Sequence, residues 1–273
     1  MTIRRALSQG QKILENAGVP AARLTAEVLL MHSVQQERSW LYAHSDDELK
    51  ELWWIHYGRY LHERLKGRPT QHITGHQEFY GRDFRVTKDV LIPRPETEHV
   101  IETVLAHIQP GARILDIGTG SGCIAITLAL ESKGTVFATD ISLAALSIAA
   151  DNAQRLEAKV RFAAGDLGSA FASGTFDVVV SNPPYVALLD RASLQIEVRE
   201  HDPALALFGG EDGLAVYQRL IPEAARLLKP GGWLIMELGD AIEVRKTLAG
   251  WSQIEIVNDL AGIPRVVVAR KQH

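Results

Sequence analysis

The segment Ile114-Leu115-Asp116-Ile117-Gly118-Thr119-Gly120-Ser121-Gly122 passes from apolar residues straight into a loop with glycine at every second position. Such a loop carries a buried strand into a helix and lets backbone approach a ligand that a side chain would hold off. From Ala112 onward the same punctuation recurs. Short apolar runs at Ala112–Ile117, Gly134–Thr139, Lys159–Ala163, Phe176–Ser181 and Trp233–Leu238 alternate with helical stretches. That alternation specifies a parallel sheet covered by helices on both faces. Ser142 is the expected N-cap of a helix whose Leu143, Leu146, Ala150 and Ala153 share a face. Asp212–Leu228 reads as another helix, closed by Lys229-Pro230-Gly231-Gly232. At the end of the chain, Ile254–Asn258 and Arg265–Arg270 flank a short Gly/Pro-bearing segment and predict an antiparallel hairpin at the sheet edge.

The N-terminal part has a different rhythm. Ile3, Leu7, Gly10, Leu14 and Ala17 recur at helical spacing, Gly18 ends that helix, and Leu24, Val28 and Met31 continue the period in a second. Ser45-Asp46-Asp47-Glu48 predicts the capped start of a third helix through Leu65, stopped by Gly67-Arg68-Pro69. Residues 77–92 predict a short hairpin turned near Gly81, followed by a helix reaching His107. The expected organisation is a helical domain over 1–75, a hairpin and linker helix over 76–110, and an α/β domain over 111–273.

Composition narrows the functional classes. The net charge is −4, and the first 75 residues carry 10 Lys+Arg and 8 Asp+Glu, so neither part is a basic stripe for RNA or DNA. The single cysteine, Cys123, cannot close an internal disulfide, which fits a reducing, cytoplasmic setting. No apolar run approaches the length of a membrane span, and the N-terminus has no secretion-signal core. A monomer is the default expectation.

Two loops carry the chemistry. After the first glycine loop, the dinucleotide fingerprint would place a third glycine where this chain has Cys123, which argues against a pyrophosphate cofactor. Asp140 ends the second strand, where a carboxylate accepts from ribose hydroxyls; Asp166 follows the third, where one accepts from an adenine amino group. Together, Gly118, Thr119, Gly120, Ser121, Gly122, Asp140, Asp166 and Leu167 are expected to hold a nucleoside cofactor. The second loop, Ser181-Asn182-Pro183-Pro184-Tyr185, directly follows an apolar strand. An Asn amide, two stiffening prolines that donate no backbone hydrogen bond, and an aromatic plate suit a planar NH2 group. Asn before proline also serves as a plain turn former, and Gly118, Gly120 and Gly122 also form plain turns.

The chain resembles the class I S-adenosylmethionine-dependent methyltransferases, which implies a Rossmann-like, seven-stranded, mostly parallel sheet. The closer likeness is to the release factor glutamine methyltransferases, the PrmC/HemK family. It rests on Gly75–Gly81 (GHQEFYG), Leu91–Glu98 (LIPRPETE), Asp116–Gly122 (DIGTGSG), Ser181–Tyr185 (SNPPY), Leu205–Gly213 (LALFGGEDG) and Asp259–Arg265 (DLAGIPR), spread over nearly the whole chain. The resemblance implies methyl transfer from S-adenosyl-L-methionine to the glutamine amide of the Gly-Gly-Gln motif in class I peptide release factors, with S-adenosyl-L-homocysteine as product. For that reaction Asn182 and Pro183 are expected to accept the two amide N–H groups, since proline presents only a backbone acceptor, and Tyr185 is expected to pack on the amide plane. Pro184, Arg94 and Phe84 are expected at the substrate pocket, with Arg94 paired to Glu98 in the alternative reading. A nucleic-acid amino methyltransferase would use the same clamp, and the unremarkable surface charge disfavours it. A cofactor-binding scaffold without turnover is the non-enzymatic rival. His56, His62, His72 and His76 lack regular ligand spacing, so no metal is expected. Trp40, Trp53, Trp54, Tyr57 and Tyr60 are expected in a packed helical core rather than as stacking platforms.

Overall fold

The Thr2 hydroxyl accepts from the Arg5 amide at 3.3 Å and starts the first helix. The computed structural model describes residues 1–272. One unit comprises Met1–His76 with Ile196–His201; the other comprises Gln77–Gln195 and the chain from Asp202 onward. The first unit holds α1 (Ile3–Asn16), α2 (Ala22–Val34), α3 (Arg38–Ala43), α4 (Glu51–Leu65) and α5 (Thr70–Thr74). Its core is Ile3, Leu14, Leu29, Leu30, Leu41, Tyr57 and Leu61, with Trp40, Trp53, Trp54 and Tyr60 packed around it.

Three expectations for this unit change. Helix α2 buries Ala22, Ala26, Leu29 and Leu30, while Leu24 is exposed. The helix is apolar on more than one side, so period alone could not choose its buried face. The Ser45–Glu48 stretch caps no helix. The Ser45 and Asp47 carbonyls instead accept the Arg4 and Ile3 amides at 2.8 and 3.1 Å, and α4 starts at Glu51. The short α3 and α5 lacked enough residues to show a period.

In the second unit, β1 (His76–Phe79) and β2 (Arg82–Arg85) form the expected hairpin. Its turn residues Tyr80 and Gly81 both have positive φ, the geometry that matches strand twist. Then follow α6 (Glu98–His107), β3 (Arg113–Ile117), α7 (Cys123–Glu131), β4 (Thr135–Asp140), α8 (Leu143–Arg155), β5 (Val160–Ala164) and β6 (Phe176–Ser181). Next in the chain, α9 (Ile196–His201) belongs to the first unit, and the second continues with α10 (Ala204–Leu207), α11 (Ala215–Leu227), β7 (Leu228–Glu237), α12 (Ala241–Thr247), β8 (Ser252–Asn258) and β9 (Pro264–Arg270). The seven-stranded sheet has the order β5-β4-β3-β6-β7-β9-β8. All its pairs are parallel except β7–β9 and β8–β9, the expected C-terminal hairpin.

Alternate residues feed opposite cores. Ile114, Val136, Val178, Ile235 and Val268 pack with Val100, Ile101, Ile124 and Leu128 of α6 and α7. Leu115, Phe137, Val179, Leu234 and Val267 pack with Tyr217, Leu220, Ala224 and Val244 of α11 and α12. Each fully buried aliphatic side chain contributes roughly 1.5–3 kcal/mol, so the sheet is fixed from both faces. Lys229-Pro230-Gly231-Gly232 lies inside β7, not in a helix-closing loop. The pairing register shifts there, between Phe176↔Leu228 and Val178↔Trp233, so these turn-forming residues build a bulge. Among the described residues, no helix is long and apolar enough to cross a membrane.

The strand order reverses between β3 and β6. Ligands of open parallel sheets sit outside the carboxyl ends of strands at such a point. The Ser181 hydroxyl donates to the Ile117 carbonyl at 2.7 Å, so the two chemistry-bearing loops leave the sheet side by side.

Candidate functional site

The glycine loop is held from below. The Gly118 and Thr119 amides both donate to the Thr139 carbonyl at 2.9 Å. The Thr119 hydroxyl donates to Asp116 at 2.6 Å, and burial pushes the fully enclosed Asp116 carboxyl up to about 7. Buried Asn152 donates to the Ser121 carbonyl at 2.9 Å. Gly122 caps α7 at φ +83°, and a β-carbon there would lie 2.8 Å from Ile126 Cδ1 and 3.1 Å from Ala149 Cβ. Gly122 therefore serves the helix–helix approach and does not line the cavity above.

That cavity measures about 350 Å³, within the usual range for small-molecule sites. It brings together Gly118, Thr119, Gly120, Ser121, Asp140, Asp166, Leu167, Asn182, Pro183, Pro184 and Arg94. Asp140 does two jobs in the loop: its carboxylate oxygens accept from Gly120 N at 2.9 Å and Ser142 N at 2.8 Å. A carboxylate has about four acceptor sites, so capacity remains for hydroxyl groups. Half-exposed Asp166 is paired with Arg219, a cavity residue that sequence reasoning missed. Leu167 adopts positive φ beside it. Cys123 also lines the wall; burial raises its thiol to about 12, so it is a filler and not a nucleophile. The space above Gly118 and Gly120 is open where β-carbons would stand. An open backbone cradle, a carboxylate at the end of β4 and an apolar wall fit a nucleoside-bearing cofactor.

Asn182 sits at the other side of the cavity. Its Nδ2 donates to Thr97 Oγ1 at 3.1 Å, and Thr97 Oγ1 donates to Glu237 Oε2 at 2.6 Å. The other oxygen of Glu237 accepts from Tyr185 Oη at 3.4 Å. Glu237 is 3% exposed, and desolvation pushes its carboxyl above the ordinary range. Neither Thr97 nor Glu237 stood out in the sequence as a site residue. Tyr185 does not line the cavity: its ring packs on Gly239, where a β-carbon would lie 2.7 Å from Cδ2. Burial and the neighbouring Glu237 carboxylate raise its phenol to about 12.

The surrounding motifs brace this turn. Val186 N donates to the Leu207 carbonyl and Gly209 N to the Val186 carbonyl, so residues 205–213 hold the exit of the Asn-Pro-Pro segment. Arg94 pairs with Asp202 at 2.8 Å, not with Glu98, whose carboxylate accepts the Tyr80 amide. Arg265 pairs with Asp259 at 2.8 Å and with Glu96 at 3.8 Å. Phe84 is fully buried edge-on against Phe79, inside the hairpin core and away from the cavity wall. Its place in an aromatic-rich hairpin beside the site motif made it look like a pocket residue; the alternation of β2 turns it inward. Among the described residues, no group of three or more His, Cys, Asp or Glu could hold a metal ion.

With this geometry in view, comparisons with known proteins are specific. A family model described as the PrmC N-terminal domain matches residues 5–75, and the methyltransferase small domain matches residues 97–198. The chain is 48% identical to a release factor glutamine methyltransferase from Koribacter versatilis, covering 99% of each. It is 42% identical to one from Bordetella pertussis, covering 93% of this chain and 96% of that protein. A crystal structure of a methyltransferase from Pyrococcus furiosus superposes with a TM-score of 0.55 at 22% identity, covering 71% of this chain and 91% of that one. The last likeness establishes the fold.

Proposed function

Because the chain belongs to the release factor glutamine methyltransferase family, we propose that its Asn182–Pro183 turn is the clamp for the acceptor amide. The enzyme transfers a methyl group from S-adenosyl-L-methionine to the side-chain amide nitrogen of the glutamine in the Gly-Gly-Gln motif of class I peptide chain release factors. S-Adenosyl-L-homocysteine is the co-product. Gly118, Thr119, Gly120 and Ser121 would cradle the cofactor, with Asp140 at the ribose hydroxyls and Asp166 and Leu167 at the adenine. Bound there, it supplies an electrophilic methyl carbon.

The observation that carries the clamp is the polarity of Asn182. Its NH2 is already committed to Thr97, so its oxygen is the end left for the cavity. An amide nitrogen is a weak nucleophile because its lone pair is shared with the carbonyl. The Asn182 oxygen and the Pro183 carbonyl each accept one N–H of the substrate and hold its nitrogen in line with the donor. Alignment of this kind lowers a barrier by as much as ~7–11 kcal/mol. Both acceptors also favour the pyramidal nitrogen of the transition state. The leaving proton goes to water, so no general base is needed. Tyr185 supports the turn from behind through Gly239 and Glu237. Arg94, anchored on Asp202, lines the cavity and would meet the incoming substrate loop. Recognition of the release factor is assigned to the helical unit, whose family model is separate from that of the methyltransferase domain.

The test is methyl transfer to the Gly-Gly-Gln peptide of intact release factor, read by mass spectrometry, with ribosomal RNA and DNA as parallel acceptors. Asn182→Ala should lose ~2–4 kcal/mol of transition-state stabilisation with donor affinity nearly unchanged. Wild-type turnover by that variant would remove the clamp.

A further inference from the structure

The oxygens and nitrogens around Glu237 admit only one hydrogen-bond polarity while that residue is ionised. A carboxylate accepts and cannot donate. Thr97 Oγ1, 2.6 Å from Glu237 Oε2, must therefore spend its single proton there. Its oxygen can then only accept from Asn182 at 3.1 Å, which forces the amide NH2 toward Thr97 and the amide oxygen toward the cavity. The reverse rotamer would set a donor against the donors of the substrate amide.

The backbone holds the chain of contacts equally firmly. Tyr217 Oη donates to the Glu237 carbonyl at 2.8 Å and accepts from Gly239 N at 3.2 Å. Glu237 lies at the end of β7, whose Met236 is in register with Ser181 of β6, one residue before Asn182. Thr97 itself is 2% exposed. A buried carboxylate is costly to solvate this poorly, and here it receives the two side-chain donors that face the methyl-transfer turn.

We propose that Thr97 and Glu237 are positioning residues of the methyl-transfer site, a relay that locks the Asn182 carboxamide with its oxygen toward the substrate nitrogen. The relay rests on the reading of Asn182 as the clamp. Thr97 also borders the cavity while Glu237 lies behind it, and the role assigned to both is exerted through Asn182.

The experiment measures release-factor methylation at saturating donor, with donor affinity by calorimetry and folding by thermal melting, for Thr97→Val, Thr97→Ser, Glu237→Gln and Asn182→Ala. Thr97→Val keeps the shape and removes the hydroxyl. It should lower kcat roughly 10- to 100-fold with donor Kd within about two-fold. Thr97→Ser, which restores the hydroxyl, should recover most of that loss, and Glu237→Gln should fall with Thr97→Val. Wild-type kcat in Thr97→Val beside an inactive Asn182→Ala overturns the relay and leaves the clamp standing. Activity in Asn182→Ala overturns both. Equal impairment of Thr97→Ser and Thr97→Val overturns the relay, because packing of the methyl group would then be what matters. If Glu237→Gln fails to fold, the Thr97 pair alone decides.

Discussion

Asp116→Asn isolates the electrostatic cost buried under the cofactor loop. The Asp116 carboxyl has no solvent exposure, and desolvation is the main cause that raises it from 3.8 to about 7, with the Asp140 carboxylate adding to the shift. The Thr119 hydroxyl bond works in the opposite direction and does not cancel it. The folded state therefore binds the Asp116 proton more tightly than the unfolded chain. The stabilisation from that proton is fully present below the unfolded value and is lost as pH rises through the folded one. About three pH units at 1.36 kcal/mol each amount to about 4 kcal/mol. An asparagine carries no titrating proton. The stability difference between variant and wild type should thus move in favour of Asp116→Asn by about 3 kcal/mol from about pH 4.5 to about pH 7.5. Any constant cost of the substitution drops out of that change. The assay is urea unfolding of the cofactor-free protein at a series of pH values, read by proteolysis and mass spectrometry of peptides from β3 and β4. A difference that stays flat within about 1 kcal/mol over the range would refute the desolvation reasoning.

Further outcomes follow from the same geometry. Gly122→Ala places a methyl group 2.8 Å from Ile126 Cδ1 at φ +83°; it should cost about 3 kcal/mol and weaken donor binding, checked by thermal melting and calorimetry. Gly239→Ala drives a β-carbon to within 2.7 Å of the Tyr185 ring, so kcat should drop roughly ten-fold or more while donor Kd holds, as measured by methyl transfer at saturating donor. The kcat profile should show an acid limb above the ordinary glutamate range: desolvation raises the Glu237 carboxyl, with Glu96 adding to the shift and Thr97, Tyr185 and Arg265 opposing it among neighbours that also include Tyr217 and Cys123, and the Asn182 lock fails as it protonates. Glu237→Gln should abolish that limb, as a pH series of kcat would reveal.

What could be read beforehand follows the range over which residues act. The Asp116–Gly122 loop and the Asn182–Pro184 turn are contiguous segments whose backbone chemistry is local, and Ile117–Ser121 of the first and all of the second line the cavity. Asp140 was legible from its position at a strand end, yet its second use, bracing the Gly120 and Ser142 amides, appears only in three dimensions. Thr97 and Glu237 are 140 positions apart. Their meeting depends on strand order and register, which no local pattern encodes. Following two prolines, Tyr185 resembles a plate for the substrate; Gly239, just past the end of β7, supplies the slot that takes its ring instead. Turn-forming residues misled at Lys229–Gly232, where a bulge uses the same residue types as a helix terminator.

Arg64 and Glu197 make an ion pair within the helical unit, with the arginine side chain 6% exposed and Ile196 packed on Gly67. Sequence continuity and folding continuity thus part company: α9 is borrowed from a stretch that starts 122 residues after the end of α5. A fragment ending at His76 would lose the carboxylate partner of that guanidinium, a loss on the order of a few kcal/mol. Swapping N-terminal domains between relatives would then need α9 carried along as part of the graft.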